Sequence, residues 1–209
     1  MSRSLDAVIC GVGGQGTLLL SSVMSAAAAI SGLKVVAGET HGQAQRGGTV
    51  SSHIRIREKE EPSPLVPLGS ADLILSLERW ESMRYARYLR QGGTVITASD
   101  KMIPVTASAG LTKYPTDQEF SDFMKLVAGK VFLVDASAVA RELGEPRVAN
   151  SVLLGVMARE VALPFDVESL RTAISRYAPR GTQQINLKAF EAGLKGEGEV
   201  LLWEARKRS

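Results

Sequence analysis

This chain has little of what most specialised sites are built from. It contains one cysteine, Cys10, in 209 residues. A disulfide within the chain is therefore excluded, and so is an iron–sulfur cluster held by four of its own thiolates. Its two histidines, His41 and His53, have no cysteines or clustered acids around them at ligand spacing, so no structural zinc site is expected. Aromatic residues make up 5% and the net charge is only +3. With the charges interspersed, neither a stacking platform nor a basic arm is present, and no nucleic-acid partner is expected. The longest nearly apolar run, Leu18 to Ile30, has 13 residues and includes Ser21, Ser22 and Ser25. A membrane span needs about 20. Met1 is not followed by a long apolar segment with a small-residue cleavage site, so the sequence reads as soluble and cytoplasmic.

What is present fits an ordinary globular protein, 44% hydrophobic and 22% charged. The length suits one domain spanning 1–209. Asp6–Cys10 is a short apolar run ending in glycines, as a buried strand of a parallel sheet does. Thr17–Ser31 then reads as a Leu/Ala-rich helix closed by Gly32, and Leu33–Ala37 as a second strand. Strand, glycine turn, helix, strand is the opening unit of a doubly wound α/β fold. Thr49–Ile56 alternates as a half-exposed strand, Ala71–Leu77 reads as a buried one, and Glu78–Arg90 as a charged helix ended by Gly92–Gly93. Thr94–Ala98 and Val131–Asp135 read as further strands, and Thr116–Glu119 as a capping box opening a helix to about Ala128. Helices are expected near 136–143, 148–162, 167–177 and 183–195, and residues 197–209 as a frayed tail. The expected fold class is α/β: a Rossmann-like doubly wound, mostly parallel sheet, helices on both faces, and a helical C-terminal third.

Two loops carry the chemistry. Gly11-x-Gly13-x-x-Gly16 matches the dinucleotide fingerprint in its strand–turn–helix context. Glycines let the backbone turn tightly and approach a ligand, and the helix start offers free N–H groups to an anion such as phosphate. Glu39, 23 residues after Gly16, stands close to where an NAD-binding acid is expected. Against a dehydrogenase stand the extra Gly14 and Gln15 within the turn, and the lack of any recognisable catalytic setting for either histidine. The bland alternative is that the glycines only permit close packing of the first helix. The second loop, Gly38-Glu-Thr-His-Gly-Gln-Ala-Gln-Arg-Gly-Gly-Thr-Val50, gathers His41, Gln45, Arg46, Gly47 and Gly48 between two strands. Arg46 beside two glycines can hold an anionic group with its planar fork; its bland alternative is a surface pair with Glu39. Both loops belong at the carboxyl ends of strands, where such sheets bind ligands, so they should converge.

Together, GVGGQG at 11–16 and ETHGQAQRGGTVSSHIRI at 39–56 resemble the gamma-type domain of 2-oxoacid:ferredoxin oxidoreductases. The form of the second loop is similar to that of the indolepyruvate type's beta subunit. The resemblance implies a small subunit of a complex that decarboxylates a 2-oxoacid, passes electrons to ferredoxin and releases an acyl-coenzyme A. It implies that thiamine diphosphate, magnesium and 4Fe–4S clusters belong to a large partner subunit, with coenzyme A as co-substrate and no cofactor bound by this chain alone. No residue here is assigned as catalytic by itself. Gly11, Gly13, Gly14, Gln15 and Gly16 are expected to form an anion-cradling turn toward coenzyme A or the shared cleft. His41, Gln45, Arg46, Gly47 and Gly48 are expected to form the loop packing on the large subunit. A homodimer of the isolated chain is left open. The competing reading is a stand-alone NAD(P)- or coenzyme A-binding Rossmann-like protein. Cys10, within a strand, reads as a small buried hydrophobe, and the arginines 79, 84, 87 and 90 as a solvated helix face.

Overall fold

The computed structural model describes residues 3–41, 48–103 and 113–204. The first strand, β1 (Leu5–Val12), is buried along nearly its whole length. Its neighbours explain why. β3 (Thr49–Arg57) pairs antiparallel with one side of it, and β4 (Ala71–Ser76) pairs parallel with the other. β2 (Lys34–His41) lies outside β3, antiparallel to it. On the far side, β5 (Leu89–Ala98) and β6 (Lys130–Val134) continue the parallel run, and β7 (Glu199–Glu204) closes it antiparallel. The sheet order is β2-β3-β1-β4-β5-β6-β7. This is the expected mostly parallel α/β sheet, with five of the seven strands running one way.

Alternation along the strands sends side chains to two layers. Ala7, Ile9, Leu73, Leu75, Ile96 and Val134 join the larger core, under α1 (Thr17–Ile30), α4 (Ala136–Glu142), α5 (Ala149–Glu160), α6 (Val167–Tyr177) and α7 (Gln183–Leu194). Cys10, Ile74, Val95 and Val131 face the other way, against Phe120 and Met124 of α3 (Asp117–Val127). The short α2 (Arg79–Tyr85) packs on β1 and β4. In α1, Thr17, Leu20, Ser21, Met24, Ala27 and Ala28 are buried, the i, i+3, i+4, i+7 stripe of a helix laid on a core. Burying each of Leu20 and Met24 stabilises the fold by about 2 kcal/mol. α5 and α7 cross so closely that a Cβ on Gly155 would strike the Phe190 carbonyl, and one on Gly193 the Val152 carbonyl. Only glycine allows that approach.

Several expectations need correcting. The hairpin of β2 and β3 puts β3 beside β1, so the first two parallel strands are not neighbours. Enclosed between strands, β3 is buried from Val50 to Ile54, including Ser51, Ser52 and His53, rather than half exposed. His53 meets Tyr88 edge-on, and its Nδ1 accepts the Val66 N–H at 3.2 Å. The charged helix stops at Tyr85. A 3₁₀ turn (Ala86–Tyr88) follows, and β5 begins at Leu89, taking in Gly92 and Gly93 across a register shift against β4. Nor does the chain fray after Glu197: β7 pairs with β6, so the C-terminal third is helical only up to that strand, and residues 205–209 lie outside the described residues. The Thr116–Glu119 capping box is present as expected. Among the described residues no helix is long and apolar enough to cross a membrane.

Candidate functional site at the carboxyl edge of the sheet

β1 delivers its glycine turn to the carboxyl edge, and the turn is braced from three directions. The Gly13 N–H donates to the Gly48 carbonyl at 2.9 Å, and the Gln15 N–H to the Val12 carbonyl at 3.1 Å. The Gln15 side chain folds back: its Oε1 accepts the Val12 N–H at 2.7 Å and its Nε2 donates to the Leu77 carbonyl at 3.1 Å. Gly11 must be small for this, because a Cβ there would lie 2.8 Å from that same Oε1. From across the cleft, Asn150 Nδ2 donates to the Gln15 carbonyl at 2.8 Å. Gly14 and Gly16 take φ of +91° and +90°, a region that disfavours any side chain. Gly16 is constrained twice over, since a Cβ on it would strike Asn150 Nδ2.

Two helices start at this point. α1 begins at Gly16 with no side-chain cap and no acid in its first turn. α5 runs on from a 3₁₀ turn (Pro146–Val148) whose start is capped by Glu145, its Oε1 accepting the Arg147 N–H at 3.2 Å. Only the start of α1 therefore leaves the partial positive charge of its first N–H groups uncompensated. Between them is a cleft of about 500 Å³. Gly14, Gln15, Gly16 and Leu19 form one wall, and Pro146, Arg147, Asn150 and Leu153 another. Leu77, Ala98, Asp100, Lys101, Met102, Ala136 and Ser137, which follow or end β4, β5 and β6, form the floor. Two cations stand at the cleft, each already paired. Lys101 Nζ is 2.6 Å from Asp117, and Arg147 grips Glu145 through two bonds of 2.7 and 2.8 Å. The Arg147 side chain holds the Glu145 carboxyl down at about 2. One carboxylate in the cleft, Asp100, accepts a 2.8 Å bond from Ser137 Oγ.

Behind the floor lies a second polar group. Glu78 caps α2, its Oε2 accepting the Glu81 N–H at 3.0 Å, while its Oε1 accepts from the Met102 N–H at 3.3 Å and from the Tyr114 hydroxyl. It thereby ties down both flanks of the stretch between β5 and α3. Glu81 is buried. Its Oε1 accepts from Thr49 Oγ1 at 3.2 Å and Arg84 Nε at 3.3 Å, and its Oε2 has no partner among the described residues. Burial pushes its carboxyl above the usual range, against the pull of Arg84.

Comparison with known proteins fits this arrangement. Residues 6–196 match the family model described as pyruvate ferredoxin/flavodoxin oxidoreductase. The chain belongs to that family. Indolepyruvate oxidoreductase subunit IorB of Archaeoglobus fulgidus is 39% identical to it, over 90% of this chain and 93% of that one. The subunit of the same name from Thermococcus kodakarensis is 38% identical, over 95% and 98%. A solved gamma subunit of a keto/oxoacid ferredoxin oxidoreductase from Geobacter sulfurreducens shares the fold, with a TM-score of 0.68 at 24% identity over 92% of this chain and 98% of that one. The resemblance seen in the two loops therefore extends over most of the chain: it is a small subunit of the 2-oxoacid:ferredoxin oxidoreductase type.

For this family member the expected residues separate into groups. Gly14, Gln15 and Gly16 line the cleft, while Gly11 and Gly13 shape the turn behind it, and Gly13 meets Gly48 directly. Of the second loop, Gly48 thus reaches the turn. His41 is the last residue of β2, whereas Gln45, Arg46 and Gly47 lie outside the described residues. Glu39 lies in register with Ser52, which in turn faces Ile9. An extra strand therefore separates it from β1, roughly 10 Å across the sheet. A fingerprint acid belongs on the adjacent strand, so the dinucleotide reading loses its second support. The single thiol fits no cluster: Cys10 is fully buried, donates to Ser76 Oγ at 3.3 Å, and burial drives its pKa far up. Among the described residues no group of three potential metal ligands occurs. Sequence reading passed over Asp100, Lys101, Ser137, Arg147 and Asn150. A usable signal existed for the first three, which directly follow predicted strands ending at the ligand-binding edge. Nothing local marks Asn150.

Proposed function

We propose that this chain supplies the coenzyme A-facing wall of the active-site cleft in a cytoplasmic indolepyruvate-type 2-oxoacid:ferredoxin oxidoreductase. Thiamine diphosphate, magnesium and the iron–sulfur clusters belong to a large partner subunit, which passes the electrons on to ferredoxin. One observation carries the reading: the glycine turn and the uncapped start of α1 open on the same cleft. Preorganised N–H groups favour an anion without needing a side-chain charge. Coenzyme A brings phosphates, and its thiol must reach an acyl group formed on the other subunit. The turn and the start of α1 would hold a phosphate group. Lys101 and Arg147 can exchange their carboxylate partners for it. Met102 and Leu19 offer apolar contact. The aryl pyruvate preference rests on the relatives' names and the form of the second loop. Loop residues His41, Gln45, Arg46, Gly47 and Gly48 would pack on the large subunit beside the cleft.

The test uses the assembled enzyme, purified anaerobically with its partner, and follows indolepyruvate-dependent electron transfer with coenzyme A varied. Lys101→Glu and Arg147→Glu should each raise the KM for coenzyme A about tenfold, with less effect at high salt, because exposed charges act through a screened field. An unchanged KM in both variants would remove coenzyme A from this cleft. Arg46→Ala should weaken assembly or coupled activity; if neither changes, the loop assignment is wrong.

A further inference from the structure

We propose that Asn150 is a positioning residue of this cleft, latching the glycine turn from the opposite wall so that it presents itself to an anion. The inference rests on the coenzyme A reading above. Asn150 stands in the first turn of α5, 135 residues along the chain from Gln15, yet its Nδ2 donates to the Gln15 carbonyl at 2.8 Å. This is the sole side-chain bond reaching the turn from α5 among the described residues. It does two things. First, a peptide unit is planar, so fixing the Gln15 carbonyl fixes the whole plane joining Gln15 to Gly16, through which the turn enters α1. Second, a carbonyl oxygen beside the cleft has the wrong sign for a phosphate, and the amide of Asn150 covers it with a donor.

The other constraints on the turn agree. The Gln15 side chain is spent on Val12 and Leu77, behind the turn, and cannot hold its front. Gly16 at φ +90° has the weakest intrinsic preference of any residue for one conformation, so something outside must select it. Asn150 Nδ2 occupies the space a Gly16 side chain would need. The glycine and the asparagine therefore require one another: the first leaves room for the amide, and the second settles the backbone that the first leaves free. A neutral amide suits this role better than a cation or a carboxylate. It donates to the carbonyl without an ion of its own beside the phosphate, and without cancelling the start of α1.

The experiment compares Asn150→Ala, Asn150→Asp and Arg147→Glu in the assembled enzyme, with coenzyme A as the varied substrate and indolepyruvate saturating. Losing one such hydrogen bond corresponds to roughly a five- to tenfold effect. Asn150→Ala should therefore raise the KM for coenzyme A about five- to tenfold, with kcat within about twofold. Asn150→Asp should raise it further at pH 8, where the new carboxylate cannot donate and repels the phosphate. That excess should persist from pH 8 to pH 6, because an aspartate stays ionised across that range. A purely structural role would lower kcat and assembly together rather than raise the KM for coenzyme A alone. If Asn150→Ala does not assemble, the near-isosteric Asn150→Asp carries the test. Should both Asn150 variants keep a normal KM while Arg147→Glu raises it, Asn150 is not the latch, although the coenzyme A site stands. Should kcat fall with KM unchanged, the proposal is overturned in the same way. Should Arg147→Glu also leave KM unchanged, the site reading fails and the inference falls with it.

Discussion

At the amino-terminal edge of the sheet, Asp6 accepts from Arg55 at 3.1 Å and from Arg57 at 2.8 Å, while Asp72 takes Arg90 at 2.6 Å and the Asp6 N–H at 2.9 Å. At the carboxyl edge, the central features are backbone: a turn with two glycines at positive φ and the start of α1 without a cap. One edge is closed by ion pairs between side chains, which leaves its charges satisfied and its shape fixed. The other leaves main-chain donors uncompensated and uses side chains, Gln15 and Asn150, to hold the shape of the main chain. The first arrangement stabilises the fold. The second keeps an unsatisfied potential where a ligand can use it. Variants at the first edge should move stability alone, whereas variants at the second should move ligand binding and, where they strain the turn, stability as well.

The largest effect should come from Gly16→Ala, which tests whether the carboxyl edge tolerates any side chain. The residue would be held at φ +90° with its methyl against Asn150 Nδ2. A loss of about 3 kcal/mol is expected from backbone strain and the clash together. Thermal unfolding of the isolated chain should show a Tm lower by about 6–12 °C. A Tm unchanged within a degree would show that the turn can readjust freely, and the contrast between the two edges would collapse.

Next comes Asp6→Asn, which opens the other edge. Removing the carboxylate leaves Arg55 and Arg57 facing a neutral group in a poorly hydrated site. A cost of about 2 kcal/mol is expected, with no change in the KM for coenzyme A. The pH dependence has a definite sign. Burial raises the Asp6 pKa, but the bonds and charges of Arg57 and Arg55 outweigh it, and the net shift is downward. A carboxyl with a lowered pKa adds stability above its unfolded value near 3.8, and that stability is lost as the pH falls through the folded value. Urea unfolding at pH 7 and at successively lower pH should show the wild type losing its advantage over Asp6→Asn below about pH 4. Parallel curves would mean that the ion cluster contributes nothing to folding.

Much of this contrast was legible in the sequence, and the reasons for the remainder are physical. Alternation and apolar runs located β1, β4, β6 and the later helices because those elements are buried by their own local pattern. The Thr116–Glu119 box located α3 because capping is a short-range bond. Strand order was not legible: nothing in Lys34–His41 says that its neighbour is β3 and not β1, since pairing is decided by which edge remains open after the hairpin forms. β7 was missed because Glu199–Glu204 is half exposed and mixes charge with apolar residues, the usual look of an edge strand. At the site, the glycine turn was readable because φ above zero demands glycine. Asn150 was not, since its function depends on a contact 135 residues away. Gln15, expected to face a ligand, has its amide turned back onto Val12 and Leu77.

Glu81→Gln should have a smaller effect, with the opposite sign, and it sharpens the comparison as a buried charge behind the carboxyl edge. Glu81 supports Thr49 at the start of β3 while one of its oxygens has no partner. Burial raises its pKa, so the ionised form is disfavoured in the folded chain. A carboxyl of this kind subtracts stability once the pH is above its unfolded value, and ceases to do so as the pH falls. The amide keeps an acceptor for Thr49 and carries no charge. Its loss is the ion pair with Arg84, whose side chain is about half exposed and so contributes little. Tm should rise by about 1–3 °C at pH 8, and the gain should fade toward pH 4. A Tm lowered at pH 8 would show that Arg84 holds the carboxylate more firmly than burial opposes it.

The smallest expected signal is from Cys10, where the prediction is that almost nothing happens. The thiol lies near the carboxyl end of β1, just before the glycine turn, fully buried, bonded to Ser76 Oγ, with its pKa driven up first by burial and further by the nearby Glu81 and Glu78. Reaction needs the thiolate and a path to it, and the folded chain offers neither. A thiol reagent at pH 8 should therefore label the native chain only at the rate of unfolding, and label it at once in urea. The rate should follow stability. Asp6→Asn, which destabilises without touching the cleft, should speed labelling, and Glu81→Gln should slow it slightly. Fast labelling of the folded wild type would mean that the layer between β1 and α3 opens locally, and that the stability of the amino-terminal edge does not reach the far end of β1.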